Sequence, residues 1–289
     1  MGLKTLIKNI KYLSRYNLKE TNNEIISINH RMNFLKYELK DDLENLYVPN
    51  ILSKHESIEY ILKNNCSLAR FGDGEFKIMK GRVAIFQKKN KKLTQRLNEI
   101  FESHNEKIAI GIPSTCCHSS LTYAKVKDEF SRKFITTFFG EHIEWIMESL
   151  QKDKIYIDTR FTAPDENIEY YNDISRLWKN RDITIICGDR VFKNIKNNIF
   201  DCANSVEYQY APTENAFDKY DEILECAKTI SKDRLIIIIL GPTATVLAYD
   251  LAQLGYQALD LGHIAKSYDA FCSGMEMSQK NISKFFGKD

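Results

Sequence analysis

The greatest concentration of reactive side chains lies in Ala69-Arg70-Phe71-Gly72-Asp73-Gly74-Glu75-Phe76. Asp73 and Glu75 stand two positions apart, each preceded by a glycine, with Arg70 just upstream. Carboxylate oxygens suit Mg²⁺ or Mn²⁺, ions that keep room for substrate phosphates and water. Gly72 and Gly74 let the chain turn sharply and let a ligand approach the backbone. The same residues also fit an ordinary Asp-Gly turn. A second segment joins the apolar run Leu235 to Leu240 to Gly241-Pro242-Thr243-Ala244-Thr245. Here a strand turns into a helix whose first N–H groups, with the Thr243 hydroxyl and the Ala244 backbone, face whatever lies above the strand. Helix starts of this kind favour phosphate. The segment lacks the Gly-Lys-Ser/Thr ending of a Walker loop and the spacing of the dinucleotide fingerprint, and a plain helix start with Pro242 in its first turn explains it equally well.

Three further strand ends carry polar groups. In Tyr210-Ala211-Pro212-Thr213-Glu214-Asn215, Thr213 is a natural helix cap, and the Asn215 amide could read a base or ribose edge. Asp260-Leu261-Gly262-His263 places an imidazole where it could serve as base, metal ligand or phosphate donor. Arg160 and Arg190 follow strands ending near Asp158 and Gly188 and could make bidentate contacts to a diphosphate, or simple surface ion pairs. The chain has no GxSxG elbow, no HExxH and no kinase motif set. Cys116-Cys117-His118 reads as incidental, because neighbours in sequence seldom form a working nucleophile pair.

The elements that must position these groups alternate between short apolar runs and amphipathic stretches. Strands are expected at 67–71, 107–112, 154–158, 182–187, 205–210, 234–240 and 256–260. Helices are expected at 57–64, 91–103, 119–150, 168–180, 214–231 and 243–254. Nearly continuous apolar strands are the mark of a parallel sheet covered on both faces. The expected class is therefore α/β, a Rossmann-like doubly wound and mainly parallel sheet, with Asp73 and Glu75 at a strand's carboxyl end, where such sheets bind ligands.

Residues 1–50 differ, with no glycine after Gly2 and no proline before Pro49. Lys4, Lys8, Lys11, Arg15 and Lys19 recur at helical steps, so a basic amphipathic helix is expected, packed on its own protein or touching an anionic membrane. From Ile25 through Ile28, Met32, Leu35, Leu39 and Leu43 the apolar positions suit a helical hairpin or a dimeric coiled coil. The expected division is a helical extension, 1–50, for oligomerisation or docking, and a catalytic domain, 51–289.

The 289 residues carry a net charge of +2, which gives no global reason to expect nucleic-acid binding. Cys66, Cys116, Cys117, Cys187, Cys202, Cys226 and Cys272 form no CxxC pair, and their odd number fits a reducing compartment. No signal peptide is evident, and Leu235–Leu240 is too short to cross a bilayer. The expectation is a cytoplasmic protein, peripheral to the inner membrane face if the basic helix binds there.

Taken together, Ala-Arg-Phe-Gly-Asp-Gly-Glu (69–75), Pro-x-x-Asn-Ala-Phe (212–217), Gly-Pro-Thr-Ala-Thr-Val-Leu-Ala-Tyr-Asp-Leu (241–251) and Gly-His-Ile (262–264) resemble the bacterial GT-D type glycosyltransferases. The resemblance runs from Ser67 to Phe271 and leaves residues 1–50 unexplained. It implies a Rossmann-like fold, a UDP-sugar donor and a Mn²⁺ or Mg²⁺ ion held by an Asp-x-Glu motif, here Asp73 and Glu75. Characterised members glucosylate a growing glycan on serine-rich adhesins of Gram-positive bacteria. Two departures stand out. Asn198 follows Asn197 where the family has aspartate, and Ala265 follows Gly-His-Ile where an aspartate is also expected.

What the residues and the resemblance imply together is a metal-dependent transferase that moves a hexose, glucose first, from a UDP-sugar to a hydroxyl of a glycan or glycoprotein acceptor. Asp73 and Glu75 would bind the metal, Arg70, Gly72, Gly74, Arg160, Asn197, Asn215, Thr243 and Ala244 would line the donor site, and His263 would be a catalytic or phosphate contact. A nucleotide-sugar phosphohydrolase and a noncatalytic nucleotide-sugar-binding subunit are the alternatives.

Overall fold

A computed structural model describes residues 4, 7, 18–38, 49–114, 145–146, 148–163 and 167–275. The chain divides into two compact units, one made of 1–46 with 118–147 and one of 47–117 with 148–289. In the first unit, helix α1 (Leu18–Glu38) leaves Ile25, Ile28 and Met32 largely exposed. Most of the expected basic helix, of the apolar steps beyond 38 and of the helix at 119–150 lies outside the described residues.

The second unit runs β1 (Asn50–Ile51), α2 (Lys54–Asn64), β2 (Ser67–Arg70), α3 (Asp73–Met79), α4 (Lys91–Phe101), β3 (Ile108–Ile112) and β4 (Ile155–Asp158). A 3-10 turn (Thr159–Thr162), α5 (Ile168–Ser175), β5 (Asp182–Gly188), a second 3-10 turn (Ile199–Cys202) and β6 (Ser205–Ala211) follow. A third 3-10 turn (Ala216–Lys219), α6 (Tyr220–Ala227), β7 (Leu235–Ile239), α7 (Pro242–Gln253), β8 (Ala258–Asp260) and α8 (Ile264–Cys272) complete it. The strands form one sheet in the order β1-β4-β3-β2-β8-β7-β5-β6, and every described pair is parallel. The sequence expectation of a doubly wound α/β sheet is therefore met.

Burial explains the parallel arrangement. Every residue of β3 (Ile-Ala-Ile-Gly-Ile) and β7 (Leu-Ile-Ile-Ile-Ile) is buried, so both faces need helical cover. Ile58 and Ile61 of α2, Tyr171 and Ile174 of α5 and Ile264 of α8 join Leu68, Ile185, Ile237 and Leu259 in one cluster around Trp178. Helices α3, α4, α6 and α7 make the other layer, with α7 packed on β2 and β8 and against α4 and α6. Local chemistry sets several helix ends: Ser53 and Glu56 form a reciprocal cap on α2, and Asn90 caps α4.

Helices α4, α6 and α7 lead steps across the sheet in one direction, while α2 and α5, on the other face, lead steps in the opposite direction. All these crossovers therefore share one hand, as strand twist requires. One consequence positions the site. The chain leaves β2 toward α3 and α4 on one face, and leaves the neighbouring β8 toward α8 on the other. A crevice at the carboxyl end of the sheet between diverging connections is where open α/β folds take ligands.

Candidate active site at the switch point between β2 and β8

Strand β2 ends at Arg70, and buried Phe71 locks the exit by packing its ring against Phe101, with centroids 5.0 Å apart, and against Phe76. Gly72 then precedes the first turn of α3, which carries both Asp73 and Glu75. Glu75 Oε2 accepts a hydrogen bond from the Gly72 N–H at 2.8 Å, the carboxylate half of a capping box. Asp73 is about half exposed and pairs with Lys77 one turn on, at 2.9 Å. Both carboxylates thus sit where the helix dipole favours negative charge. A Cβ on Gly74 would meet only the Ala84 side chain at an ordinary 3.7 Å, so no close approach demands glycine there.

Arg70 lies beneath the crevice rather than open within it. Its Nε donates to Asp260 Oδ1 at 3.3 Å, and its Nη1 donates to Thr159 O and to Thr162 Oγ1. The Thr245 hydroxyl, one turn into α7, donates to Arg70 O at 2.9 Å and to Asp260 Oδ2 at 3.4 Å. Gly262 N donates to Asp260 Oδ1 at 3.2 Å. Gly262 has φ +46°, and a Cβ there would fall 1.9 Å from Arg70 Nη2, so this backbone conformation and this guanidinium together require glycine. The pair Arg70–Asp260 joins the ends of β2 and β8, and Arg70 carries the tie on to the turn after β4.

The electrostatics of this crevice are unbalanced. Burial pushes the Glu75 carboxyl up to about 7, and the nearby Asp260 adds to the rise against the opposing effects of the Gly72 N–H and Arg70. Burial likewise raises the Asp260 carboxyl although Arg70 pulls it down. Two carboxyls therefore share a single guanidinium, a setting that another cation would relieve. His263 stands at the start of α8, where burial, then Arg70 and Lys266, press its imidazole down to about 4, with Asp73 opposing.

Thr243 and Ala244 are buried in the first turn of α7, after Gly241 at φ +53°. Among the described residues, Thr243 Oγ1 is a buried oxygen with no hydrogen-bond partner. A native protein rarely leaves such a group unpaired without a reason.

Asn215 and Asn197 are engaged within the fold, and Arg160 is exposed. Asn215, in a left-handed conformation, donates its N–H to Phe86 O and accepts from Lys88 N through Oδ1, both at 2.8 Å. It pins the loop between α3 and α4 beside Gly241. Asn197 donates both its N–H and its Nδ2 to Asp269 Oδ1 of α8, each at 2.9 Å. Arg160 is exposed, and its backbone N–H donates to Asp158 Oδ1 at 2.9 Å. The structure thus gathers Arg70, Gly72, Asp73, Glu75 and His263 around one crevice, with the Gly241–Ala244 turn rising from the next strand beyond β8. Sequence reasoning missed Thr245 and Thr162. Thr245 belongs to the Gly-Pro-Thr-Ala-Thr segment, but its partners lie far off in sequence.

Among the described residues, one set of three potential metal ligands has its atoms within 4.8 Å of one another: His55, Glu59 and Asp173. There Arg176 already pairs with both carboxylates. The crevice offers a smaller set of hard oxygens, which suits an ion that takes one or two protein carboxylates and completes its shell with phosphate and water.

Sheet, crevice and helix starts define a Rossmann-like α/β protein with a candidate site at the carboxyl end of its strands. Comparison with known proteins makes the class specific. The family profile "Glycosyltransferase GT-D fold" matches residues 68–286. The "Probable glycosyl transferase Gly" of Streptococcus gordonii is 31% identical over 248 residues, covering 81% of this chain and 35% of the relative. The "Glycosyltransferase GlyD" of Streptococcus pneumoniae serotype 4 (strain ATCC BAA-334 / TIGR4) is 29% identical over 273 residues, covering 86% and 31%. The chain thus spans about a third of the length of these two relatives. A solved structure described as "The highly conserved domain of unknown function 1792 has a distinct glycosyltransferase fold" superposes with a TM-score of 0.72 at 32% identity, covering 80% of this chain and 84% of that one. Another, "A New Glycosyltransferase (DUF1792) from Streptococcus sanguinis", gives 0.71 at 27% identity, covering 83% and 95%. This chain belongs to the GT-D-fold glycosyltransferase family.

Proposed function

We propose that the protein transfers a hexose from a nucleotide sugar to a hydroxyl of a glycan or glycoprotein acceptor, with UDP-glucose the first donor to test. The observation that carries this reading is the charge-starved pair Glu75 and Asp260 over one guanidinium, at the ligand-binding end of a GT-D-fold sheet. Asp73 and Glu75 would hold Mn²⁺ or Mg²⁺; their hard oxygens and the surplus of carboxyls over cations fit such an ion. When bound, the ion would offset the charge that develops on a departing nucleoside diphosphate.

The chain's own groups do the remaining work in this reading. The Gly72 N–H orients Glu75, and Asp260, anchored by Arg70 and Thr245, adds negative charge beside it. Gly241, exposed at the head of α7, would face the diphosphate, while Thr243 lies buried beneath it and the Ala244 N–H already donates to Gly241 O at 2.9 Å. Asn215 holds the 86–88 loop against the Gly241 turn and so closes one wall. His263, at the start of α8 beside Asp73 and Arg70, would be a catalytic or phosphate contact. Among the described residues no helix is long and apolar enough to cross a membrane. The exposed Ile25, Ile28 and Met32 of α1 support self-association or docking as the role of the first unit.

A donor screen with Mn²⁺ and saccharide acceptors, read by mass spectrometry, tests the proposal. Wild-type protein should add one hexose to an acceptor, and Asp73→Ala combined with Glu75→Ala should not. Rapid donor hydrolysis that needs no acceptor and yields no transfer product would point instead to a phosphohydrolase.

A further inference from the structure

We infer that the carboxyl end of the β5–β6 edge is a saccharide subsite for the acceptor, with Tyr210 as its platform and Asp189 as its hydrogen-bond acceptor. The inference rests on the glycosyl-transfer reading above and names where the acceptor chain lies.

Strand β6 is the last strand on its side of the described sheet, and its residues alternate between two environments. Gln209 turns toward α6, donating to Cys226 O. Tyr208 and Tyr210 turn to the opposite face. Tyr208 is held by the ring of Phe192, with centroids 5.3 Å apart and the planes at 71°. Tyr210 lies nearly parallel to Tyr208, at 7° and 5.9 Å, and is 64% exposed. A fixed tyrosine thus backs a second ring that remains open to solvent at the ligand-binding end of the sheet. A flat ring with a polar tip is a good partner for an amphipathic ligand. A pyranose has that character: an apolar face of C–H groups and a rim of hydroxyls.

The neighbouring groups supply the polar half. Residues Cys187 and Gly188 of β5 pair with Tyr210 and Ala211, and Asp189 N donates to Ala211 O, so Asp189 stands one step beyond the platform. Its Oδ1 accepts the Thr213 hydroxyl at 2.6 Å. That bond, with help from Arg190, holds the carboxyl below its usual range. An ionised carboxylate only accepts, which matches a rim of donating hydroxyls. Thr213 is itself fixed: a Cβ on Gly188 would lie 2.8 Å from Thr213 Oγ1, so the glycine makes room for the threonine that orients Asp189. Three strand spacings separate β6 from β8, about 14 Å at the usual interval, a span that a short oligosaccharide covers from the crevice.

The test uses the full chain and four probes: the methyl β-glycosides of glucose, galactose and N-acetylglucosamine, and uridine. Saturation-transfer NMR should show at least one glycoside bound through its C–H face. Tyr210→Ala should weaken that glycoside about tenfold, the scale of one lost ring contact, with Tyr210→Trp restoring it. Asp189→Asn should weaken it without altering uridine. Because Tyr210 is a surface ring, an unchanged melting temperature should accompany Tyr210→Ala. Three results would overturn the subsite: no glycoside bound by wild type, glycoside binding unaffected by Tyr210→Ala, or loss of uridine in place of the glycoside, which would make the ring a base platform. Failure of the transfer reading shows separately, as absence of nucleotide-sugar turnover by wild-type protein, and does not affect the glycoside signal.

Discussion

Replacing Glu75 by glutamine should make the metal-free protein more stable at pH 8 while abolishing transfer. Desolvation of its carboxyl group, with Asp260 close by, pushes Glu75 up to about 7 from its ordinary 4.5. The folded protein therefore binds more protons than the unfolded chain across that window, so stability is highest below pH 4.5 and falls as pH rises through 7. Forcing such a group to ionise costs up to ~3 kcal/mol at pH 8. The residue is partly exposed and shares its charge environment with Asp260, so about 1 kcal/mol is the expected gain on neutralisation. Glutamine keeps an oxygen to accept from Gly72 N–H, so the helix start survives. Unfolding in urea with chelator present, at pH 5 and pH 8, measures this. Glu75→Gln should gain about 1 kcal/mol at pH 8, or roughly 2–3 °C in melting temperature, and little at pH 5. A variant less stable than wild type at pH 8, or one with an unaltered pH profile, would refute the reasoning.

Other perturbations probe the supporting structure. Gly262→Ala places a Cβ against the Arg70 guanidinium at a positive φ, and should cost about 2–4 kcal/mol in chemical denaturation, far more than an exposed Gly→Ala change. Asn215→Ala removes the acceptor for Lys88 N, and should cost about 1 kcal/mol and raise the donor KM if the 86–88 loop walls the site. Burial pushes the Cys66 and Cys187 thiols up to about 11 and about 12, so maleimide at pH 7.5 should label exposed Cys226 and Cys272 in the native protein and reach Cys66 and Cys187 only on unfolding, as read by peptide mass spectrometry.

The parts of this molecule that were legible in its sequence are those set by local pattern. The all-apolar run before Gly241 announced a buried parallel strand, and Gly-Pro announced the helix start after it. Ser67–Phe71 read as a strand, which put Asp73 and Glu75 at a carboxyl end before any coordinates. Contacts that depend on distant partners were not legible. From sequence Arg70 is expected to line the donor site, and its partner Asp260, 190 residues away, draws it beneath the crevice. The Asn215 amide reads as able to meet a base or ribose edge, and Asn197 is expected in the donor site; folding commits Asn215 Oδ1 to Lys88 N and Asn197 to Asp269. The positive φ at Gly262 likewise has no local signature beyond glycine itself.

The most direct test of the central claim is a single assay of hexose transfer from UDP-glucose to a saccharide acceptor, with Mn²⁺ and with chelator, on wild type and on Asp73→Ala combined with Glu75→Ala. The account predicts a product one hexose heavier only for wild type with metal. Transfer by the double variant at the wild-type rate, or transfer by wild type undiminished by chelator, would contradict it.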